Sequence, residues 1–449
     1  MNQTLPLSRD DLAGIFMKPN QVEKCVGIEV ETAALDPETG RSVPYMSERG
    51  LGAYLALVLD EIGGDPQRER EHLVGIYLPD GGRISLENGG AVEYSSPPRR
   101  NLNDLMNSTH ETLEWLAEIA KHCNIALVPG GNFPFTKIDE VCWVPNARGD
   151  IMRSYFARQG AGSMWARQVR ALTISTQVTF DYSSAQDLAN KLCMQMAVST
   201  IAAAMFVNSP IDGGRPYGGL SRRMEYFSKL DSNRTGLIPI AIDGTFTVER
   251  FVDWVLSRQM IYRKLPGGKC EAVYRTFSSL LDKGFDDGSF LTKEDWLSHL
   301  SQIYTDVRVR GTLESRVMDG PPYSAIATVP AFWTGLTYHE PSCMAAWELL
   351  RDATVEDHYS VRRVIAQEGL SGCFKQRPIV ELAQELLSLS DKGLRARVEA
   401  NLESSTVLNF LEPLREILDT GQTFADRCLY RWQNDLQQSP QRYVKNFRI

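Results

Sequence analysis

The chain has 449 residues, a formal net charge of −8, and 43% hydrophobic against 23% charged residues. That balance supplies a core, excludes extended disorder, and gives no basis for binding nucleic acid or an anionic membrane surface. The eight cysteines form no CxxC pair, which excludes a zinc ribbon and a dense disulfide framework.

Residues 1–16 mix Asp, Arg, Gln and Ser without a continuous apolar stretch, so no secretory signal is read there and a cytoplasmic home is expected. A short opening helix is predicted over 8–16. Val26-Gly27-Ile28-Glu29-Val30-Glu31 then alternates as a strand does, with Val26, Ile28 and Val30 on one face and Glu29 and Glu31 on the other. A charged stretch over 65–72 leads to a turn at Pro79-Asp80-Gly81-Gly82 and to the strand Ile84-Ser85-Leu86-Glu87. The Gly89-Gly90 pair predicts a tight bend before Val92-Glu93-Tyr94, so that Glu87 and Glu93 aim at one point.

A helix is predicted over 105–122. The cleanest strand, 174–181, sets Ser175, Gln177, Thr179 and Asp181 opposite Ile174, Thr176, Val178 and Phe180. The apolar run 192–207 is interrupted by Gln195, Ser199 and Thr200 and stopped by Asn208-Ser209-Pro210, which predicts a buried helix rather than a membrane span. A Gly- and Pro-rich loop, 208–220, is long enough to be functional. Arg222 and Arg223 follow Ser221, and 231–236 reads as a turn with Arg234 at its centre; basic residues at such turns are ordinarily solvated. A helix near 296–303 precedes the strand Thr312-Leu313-Glu314-Ser315-Arg316-Val317, and 341–449 reads as helices. With no internal repeat and no linker, a single domain of segregated α and β structure is expected over 1–449, with a mainly helical C-terminal region.

A single Glu-x-Glu on a strand is ordinarily a solvated face. Here the pattern recurs in four segments. If these strands share one sheet, the carboxylates of Glu29, Glu31, Glu87, Glu93 and Glu314 converge with the Arg316 guanidinium on one surface. Like-charge repulsion forbids this unless cations neutralise it, and an oxygen-only ligand set selects Mg²⁺ or Mn²⁺, the usual carriers of nucleotide phosphates. Competing chemistries lack their signatures, since the chain has no GxxxxGK[ST], GxGxxG or HExxH motif and its six histidines are scattered.

The same segments resemble the plant-type glutamate-cysteine ligases, of the glutamine synthetase superfamily of carboxylate-amine ligases. The likeness runs in order through Gly27 to Glu31, Ser85-Leu86-Glu87, Ile151-Met152-Arg153-Ser154-Tyr155, Thr176-Gln177-Val178, Asn208-Ser209-Pro210, Asp231 to Gly236, Leu313-Glu314-Ser315-Arg316 and Pro330 to Leu336. What the resemblance implies is an α+β fold with a curved antiparallel sheet forming a bowl and helices packed outside. It also implies an ATP-dependent ligase joining the γ-carboxylate of glutamate to the amine of cysteine through γ-glutamyl phosphate. Glu29, Glu31, Glu87, Glu93 and Glu314 match the Mg²⁺-holding positions, and Gln177 and Thr179 the polar strand lining the nucleotide. Arg316 matches the arginine facing the transferred phosphate. Ser221, Arg223 and Arg234 lie in loops resembling the phosphate and substrate contacts, while Arg153 and Tyr155 fall on the amino-acid side. The first strand departs from the plant Glu-His-Glu pattern in having Glu29-Val30-Glu31. A different amine acceptor, or a non-catalytic nucleotide-binding homologue, stays open as an alternative, and so do a monomer and a homodimer.

Overall fold

The computed structural model describes residues 7–17, 23–266 and 269–449. The strand expected at Glu29 runs over Val26–Leu35 (β1). It is followed by Asp65–Glu69 (β2), His72–Tyr77 (β3), Arg83–Leu86 (β4), Val92–Ser95 (β5), Ala126–Pro129 (β6), Thr176–Phe180 (β7), Val307–Val309 (β8) and Leu313–Ser315 (β9). Among the described residues these nine strands form one open sheet in the order β8-β9-β7-β1-β5-β4-β3-β2, with β6 paired to the second half of β1. Every pairing is antiparallel.

The register settles which side chains share a face. Glu29 stands opposite Gln177 on one side and Ser95 on the other, Glu31 opposite Glu93, and Glu93 opposite Ser85. Glu314 stands opposite both Thr179 and Arg308. Residues directly opposite in an antiparallel pair point the same way, so the polar set occupies one continuous face. On the reverse face Val26, Ile28, Val30, Tyr94, Val178 and Phe180 are buried in the main core, together with residues of the helices Leu102–His122, Ala185–Met205 and Thr328–Thr337.

The helix predicted over the apolar run is Ala185–Met205, and it is buried on every side from Lys191 onward. Each polar interruption makes an internal hydrogen bond: Gln195 Nε2 donates to Thr337 Oγ1 at 2.9 Å, Ser199 donates to the Gln195 carbonyl at 2.7 Å, and Thr200 Oγ1 pairs with His358 Nδ1 at 2.8 Å. No helix among the described residues is long and apolar enough to cross a membrane. The opening helix is Arg9–Gly14, capped by Ser8. Beyond residue 340 the helices Glu340–Leu350, Val355–Glu368, Ile379–Glu399, Glu412–Thr420, Phe424–Asn434 and Pro440–Phe447 follow as expected.

Two segments differ from expectation. Residues 65–72, read as a charged stretch, are an edge hairpin of β2 and β3 that turns at Arg70 with φ +56°. Charged side chains on an edge strand blunt further pairing and hide the strand from a hydrophobic-pattern reading. The 208–220 loop contains a small hairpin, Ile211–Asp212 with Arg215–Pro216.

The helix layer behind the sheet is drawn tight by glycine. A Cβ on Gly393 of Ile379–Glu399 would stand 1.9 Å from the Gly335 carbonyl oxygen of Thr328–Thr337, and one on Gly335 would stand 2.1 Å from the Ser390 carbonyl oxygen. Gly393→Ala is therefore expected to destabilise the protein by about 1–3 kcal/mol through overpacking. Urea unfolding measures this, and an unchanged midpoint would contradict it.

Candidate active site

The acidic face of the sheet floors a cavity of about 430 Å³. Glu29, Glu31, Glu87 and Glu93 line it with Gln177, Arg223 and Arg316. Carboxylate oxygens of Glu29, Glu31 and Glu93 all lie within 4.8 Å of one another. The pleat makes this meeting unavoidable: Glu29 and Glu31 are two residues apart on β1, and Glu93 faces Glu31 across the β1–β5 pair. Glu87 arrives differently. It follows β4 at a tight turn in which the Gly90 N–H donates to the Glu87 carbonyl and Gly90 adopts φ +95°. The bend expected at Gly89-Gly90 is this turn, and Gly89 is fixed by packing, since its Cβ would lie 1.8 Å from the Ala171 carbonyl oxygen.

Hydroxyls support the carboxylates. Ser85 donates to Glu93 Oε1 at 2.7 Å and Ser175 to Glu31 Oε2 at 2.7 Å, while Gln177 Nε2 donates to Ser175 Oγ at 3.1 Å. These bonds do not offset the crowding. Burial pushes the Glu31 carboxyl up to about 8, with the charges of Glu87 and Glu93 adding to it. Burial raises Glu29 well above the usual range, assisted by Glu93, Glu314 and Glu31, and raises Glu93 with help from Glu87. The three acids are hard oxygen donors that repel one another, an arrangement that suits a divalent cation of the Mg²⁺ type.

Glu314 behaves oppositely. Burial pushes its carboxyl up, but Arg308, Arg316 and Arg310 together outweigh burial and hold it below the usual carboxylate range. Arg308 Nε donates to Glu314 Oε2 at 2.6 Å, Arg316 Nη1 donates to the same oxygen at 2.9 Å, and Arg310 Nη2 stands 3.8 Å from Oε1. Arg316 Nη1 also donates to Gln177 Oε1 at 2.5 Å. Glu314 thus orients Arg316 toward the cavity and lies outside the three-acid cluster. Arg223 donates to the carbonyls of Arg316 and Val317 at 2.7 and 2.8 Å, which fixes the backbone that carries Arg316. Asp306 accepts the Arg316 N–H at 2.9 Å through its carbonyl and pairs with Arg362 through its carboxylate.

Other residues singled out from sequence are not brought to the cavity. Arg234 is 1% exposed, contrary to the solvated turn expected of it. Its guanidinium donates to Asp231 Oδ2 at 2.9 Å, Tyr155 Oη at 2.8 Å, the Gln302 carbonyl at 3.1 Å and the Gln259 carbonyl at 2.9 Å. Tyr155 is consumed in the same network, donating to Asp231 Oδ2 at 2.7 Å. Arg153 pairs with Asp150 and lies 4.4 Å from the centre of the Trp143 ring. Ser221 caps the Arg222–Phe227 helix and donates to Asp319 Oδ1 at 3.2 Å, and Thr179 stands on the polar face without lining the cavity.

Six lining residues have no site role in the sequence reading: Arg83, Arg148, Arg170 and Tyr304, and also Tyr262 and Arg308, whose segments Tyr262-Arg263-Lys264 and Val307-Arg308-Val309 belong to the family resemblance. Arg308 carried a usable signal, because Val307-Arg308-Val309 alternates as the acidic strands do. Arg148 and Arg170 sit on the helices Ala147–Arg158 and Ala166–Leu172, where a polar residue facing inward looks like any exposed one.

The model of glutamate-cysteine ligase family 2 matches residues 25–445. The chain belongs to that family. It is 30% identical over 447 residues to the chloroplastic glutamate-cysteine ligase A of Oryza sativa subsp. indica, covering 98% of this chain and 87% of that protein. It is 28% identical over 441 residues to the chloroplastic glutamate-cysteine ligase of Arabidopsis thaliana, covering 97% and 82%. Among solved structures, the Francisella tularensis glutamate-cysteine ligase in complex with AMP superposes with a TM-score of 0.57 at 11% identity, over 96% of this chain and 89% of that one. At that identity the likeness concerns the fold, which agrees with the open antiparallel sheet and surrounding helices of this family member. The cytoplasmic home expected from residues 1–16 is corrected: relatives matching nearly the whole chain are named chloroplastic, so the composition of the opening segment does not assign a cytoplasmic compartment.

Two outcomes follow from the geometry. Folded Glu31 keeps its proton to about 8 whereas the unfolded side chain releases it near 4.5, so the folded state binds more protons between those values. Stability from this group is present below about 4.5 and lost as pH rises through about 8. Thermal melts of metal-free protein should therefore fall over that window relative to Glu31→Gln, and a difference independent of pH would contradict the crowding. Arg234→Met should cost about 3–5 kcal/mol in urea unfolding by stranding buried Asp231; wild-type stability would refute its structural role.

Proposed function

We propose that this family member is an ATP-dependent ligase that joins the γ-carboxylate of glutamate to the amine of cysteine. The observation that carries the reading is the union, on one sheet face, of the Glu29, Glu31 and Glu93 cluster with the Glu314-oriented Arg316. The names of the plant relatives support the substrates, and the AMP complexed by the Francisella ligase supports the nucleotide.

A carboxylate does not acylate an amine at neutral pH, because its oxygen is too poor a leaving group. Phosphorylation removes the obstacle. The γ-carboxylate oxygen of glutamate attacks the terminal phosphorus of ATP and ADP departs, leaving an acyl phosphate. The amine nitrogen then attacks the acyl carbon, phosphate leaves with the bonding electron pair, and the amine proton passes to solvent. Both steps gather negative charge in one place, so catalysis is positioning and electrostatic stabilisation.

This chain's residues divide that work. Glu29, Glu31 and Glu93, with Glu87 beside them, fit Mg²⁺, or Mn²⁺ in its place. When bound, such an ion supplies positive charge between the nucleotide phosphates and the reacting carboxylate. Arg316 presents a guanidinium to the transferred phosphoryl group, and Glu314 and Gln177 hold its orientation. Arg223 and Arg148 stand near Glu31 and Glu87 and can receive the α-carboxylate of glutamate.

Arg316→Ala should lower turnover by about 10²–10³-fold or more while leaving the circular dichroism spectrum unchanged, the scale seen when one preorganised donor is removed. Activity close to wild type would refute its role. ADP release with ATP and glutamate should require a divalent cation and an amine, with cysteine strongest in a panel of amino acids. Undiminished turnover in excess chelator would overturn the cation assignment.

A further inference from the structure

Most guanidiniums around the cavity are already engaged. Arg308, Arg310 and Arg316 converge on Glu314, Arg223 is tied to backbone carbonyls and lies 4.0 Å from Asp319, and Arg83 donates to Gln67 Oε1 at 2.8 Å. Arg148 has the Tyr262 phenol beside it and feels the charge of Glu87. Arg170 is the exception. Its side chain lines the cavity from the Ala166–Leu172 helix, and among the described residues it forms no ion pair and no hydrogen bond. Its Nε is buried without a partner, as is the Nε of Arg83, whose Nη2 is however engaged by Gln67.

Leaving a buried guanidinium N–H unsatisfied costs free energy, so the group is explained when a ligand supplies the missing acceptor. The planar fork of arginine suits a carboxylate or a phosphate. In the reading above Arg316, which directly follows β9, is assigned to the phosphate, and Arg223 and Arg148 to glutamate. Arg170 is a cavity guanidinium to which neither of those groups has been assigned. Beside it on the same wall are Met152, Phe156 and Val169, which are apolar, and Thr173. A single carboxylate-binding fork next to a small apolar wall fits an α-amino acid with a short apolar or thiol side chain.

We propose that Arg170 binds the carboxylate of the amine acceptor and that Met152, Phe156 and Val169 form the wall against which the acceptor's side chain packs. This rests on the ligase reading above. It makes Arg170 a specificity residue that sees the second substrate and not the first.

The test compares cysteine with cysteamine, which carries the same amine and thiol but no carboxylate, under saturating Mg²⁺, ATP and glutamate. Wild-type enzyme should prefer cysteine in kcat/KM by about 10-fold to 10²-fold, because a site built to pair a charged group rejects the analogue lacking it. Arg170→Gln should erase that preference by raising KM for cysteine. Its kcat/KM for cysteamine and its KM for glutamate should stay within about twofold of wild type by the same logic. Retained cysteamine activity also reports that the variant is folded. Arg170→Lys, which keeps the charge but not the fork, should fall between the two. A raised KM for glutamate with cysteine unaffected would overturn the assignment, as would equal losses with both amines or no change with either. Wild-type enzyme that releases no ADP with glutamate and either amine would instead overturn the ligase reading, and the assignment with it.

Discussion

The structure depends on mutual repulsion among carboxylates that the β-pleat forces onto one face. Glu29 and Glu31 cannot diverge, because they are alternate residues of one strand, and Glu93 cannot leave Glu31, because the two are register partners. Burial and crowding favour the protonated forms of Glu29, Glu31 and Glu93, and serine donors fix individual oxygens. Such a face is intrinsically unfavourable in the resting protein, and strain of that kind is characteristic of sites that are completed by a ligand.

A second constraint keeps opposite charges from simply collapsing into the acidic cluster. Arg316 is held away by Glu314 and Gln177, and its own backbone is pinned by Arg223 and Asp306. One carboxylate of the acidic set has therefore been diverted to serve an arginine. The division between three clustered acids and one acid that steers a guanidinium comes from β8, whose Arg308 stands across from Glu314. The ligation proposed above uses both halves, since charge must be neutralised before transfer and during it.

Much of this was legible in the sequence because strands announce their faces by parity. The polar face containing Glu29, Glu31, Glu93, Gln177, Thr179 and Glu314 was read correctly, and so was its apolar reverse, since a one-residue slip would have inverted every side chain. The long buried helix and the Gly89-Gly90 turn were equally visible. What parity could not reveal was pairing. That Glu314 meets three arginines, and that Arg234 disappears into a buried network with Tyr155 and Asp231, depends on contacts between segments distant in sequence. A basic residue in a turn gives no local sign of its burial. The edge hairpin at 65–77 was hidden because its strand β2 carries exposed charges, and the helical wall bearing Arg148 and Arg170 because helix periodicity does not distinguish a solvated arginine from one facing a cavity.

Glu29, Glu31 and Glu93 are proposed to hold a divalent cation together. Titration with Mn²⁺ followed by electron paramagnetic resonance tests it directly, with wild type and Glu93→Gln compared in the presence of a non-hydrolysable ATP analogue. The account predicts saturable Mn²⁺ binding by wild type that is weakened by roughly an order of magnitude or more when Glu93 loses its charge. Equal Mn²⁺ affinity in the two proteins, or no binding by wild type, would contradict it.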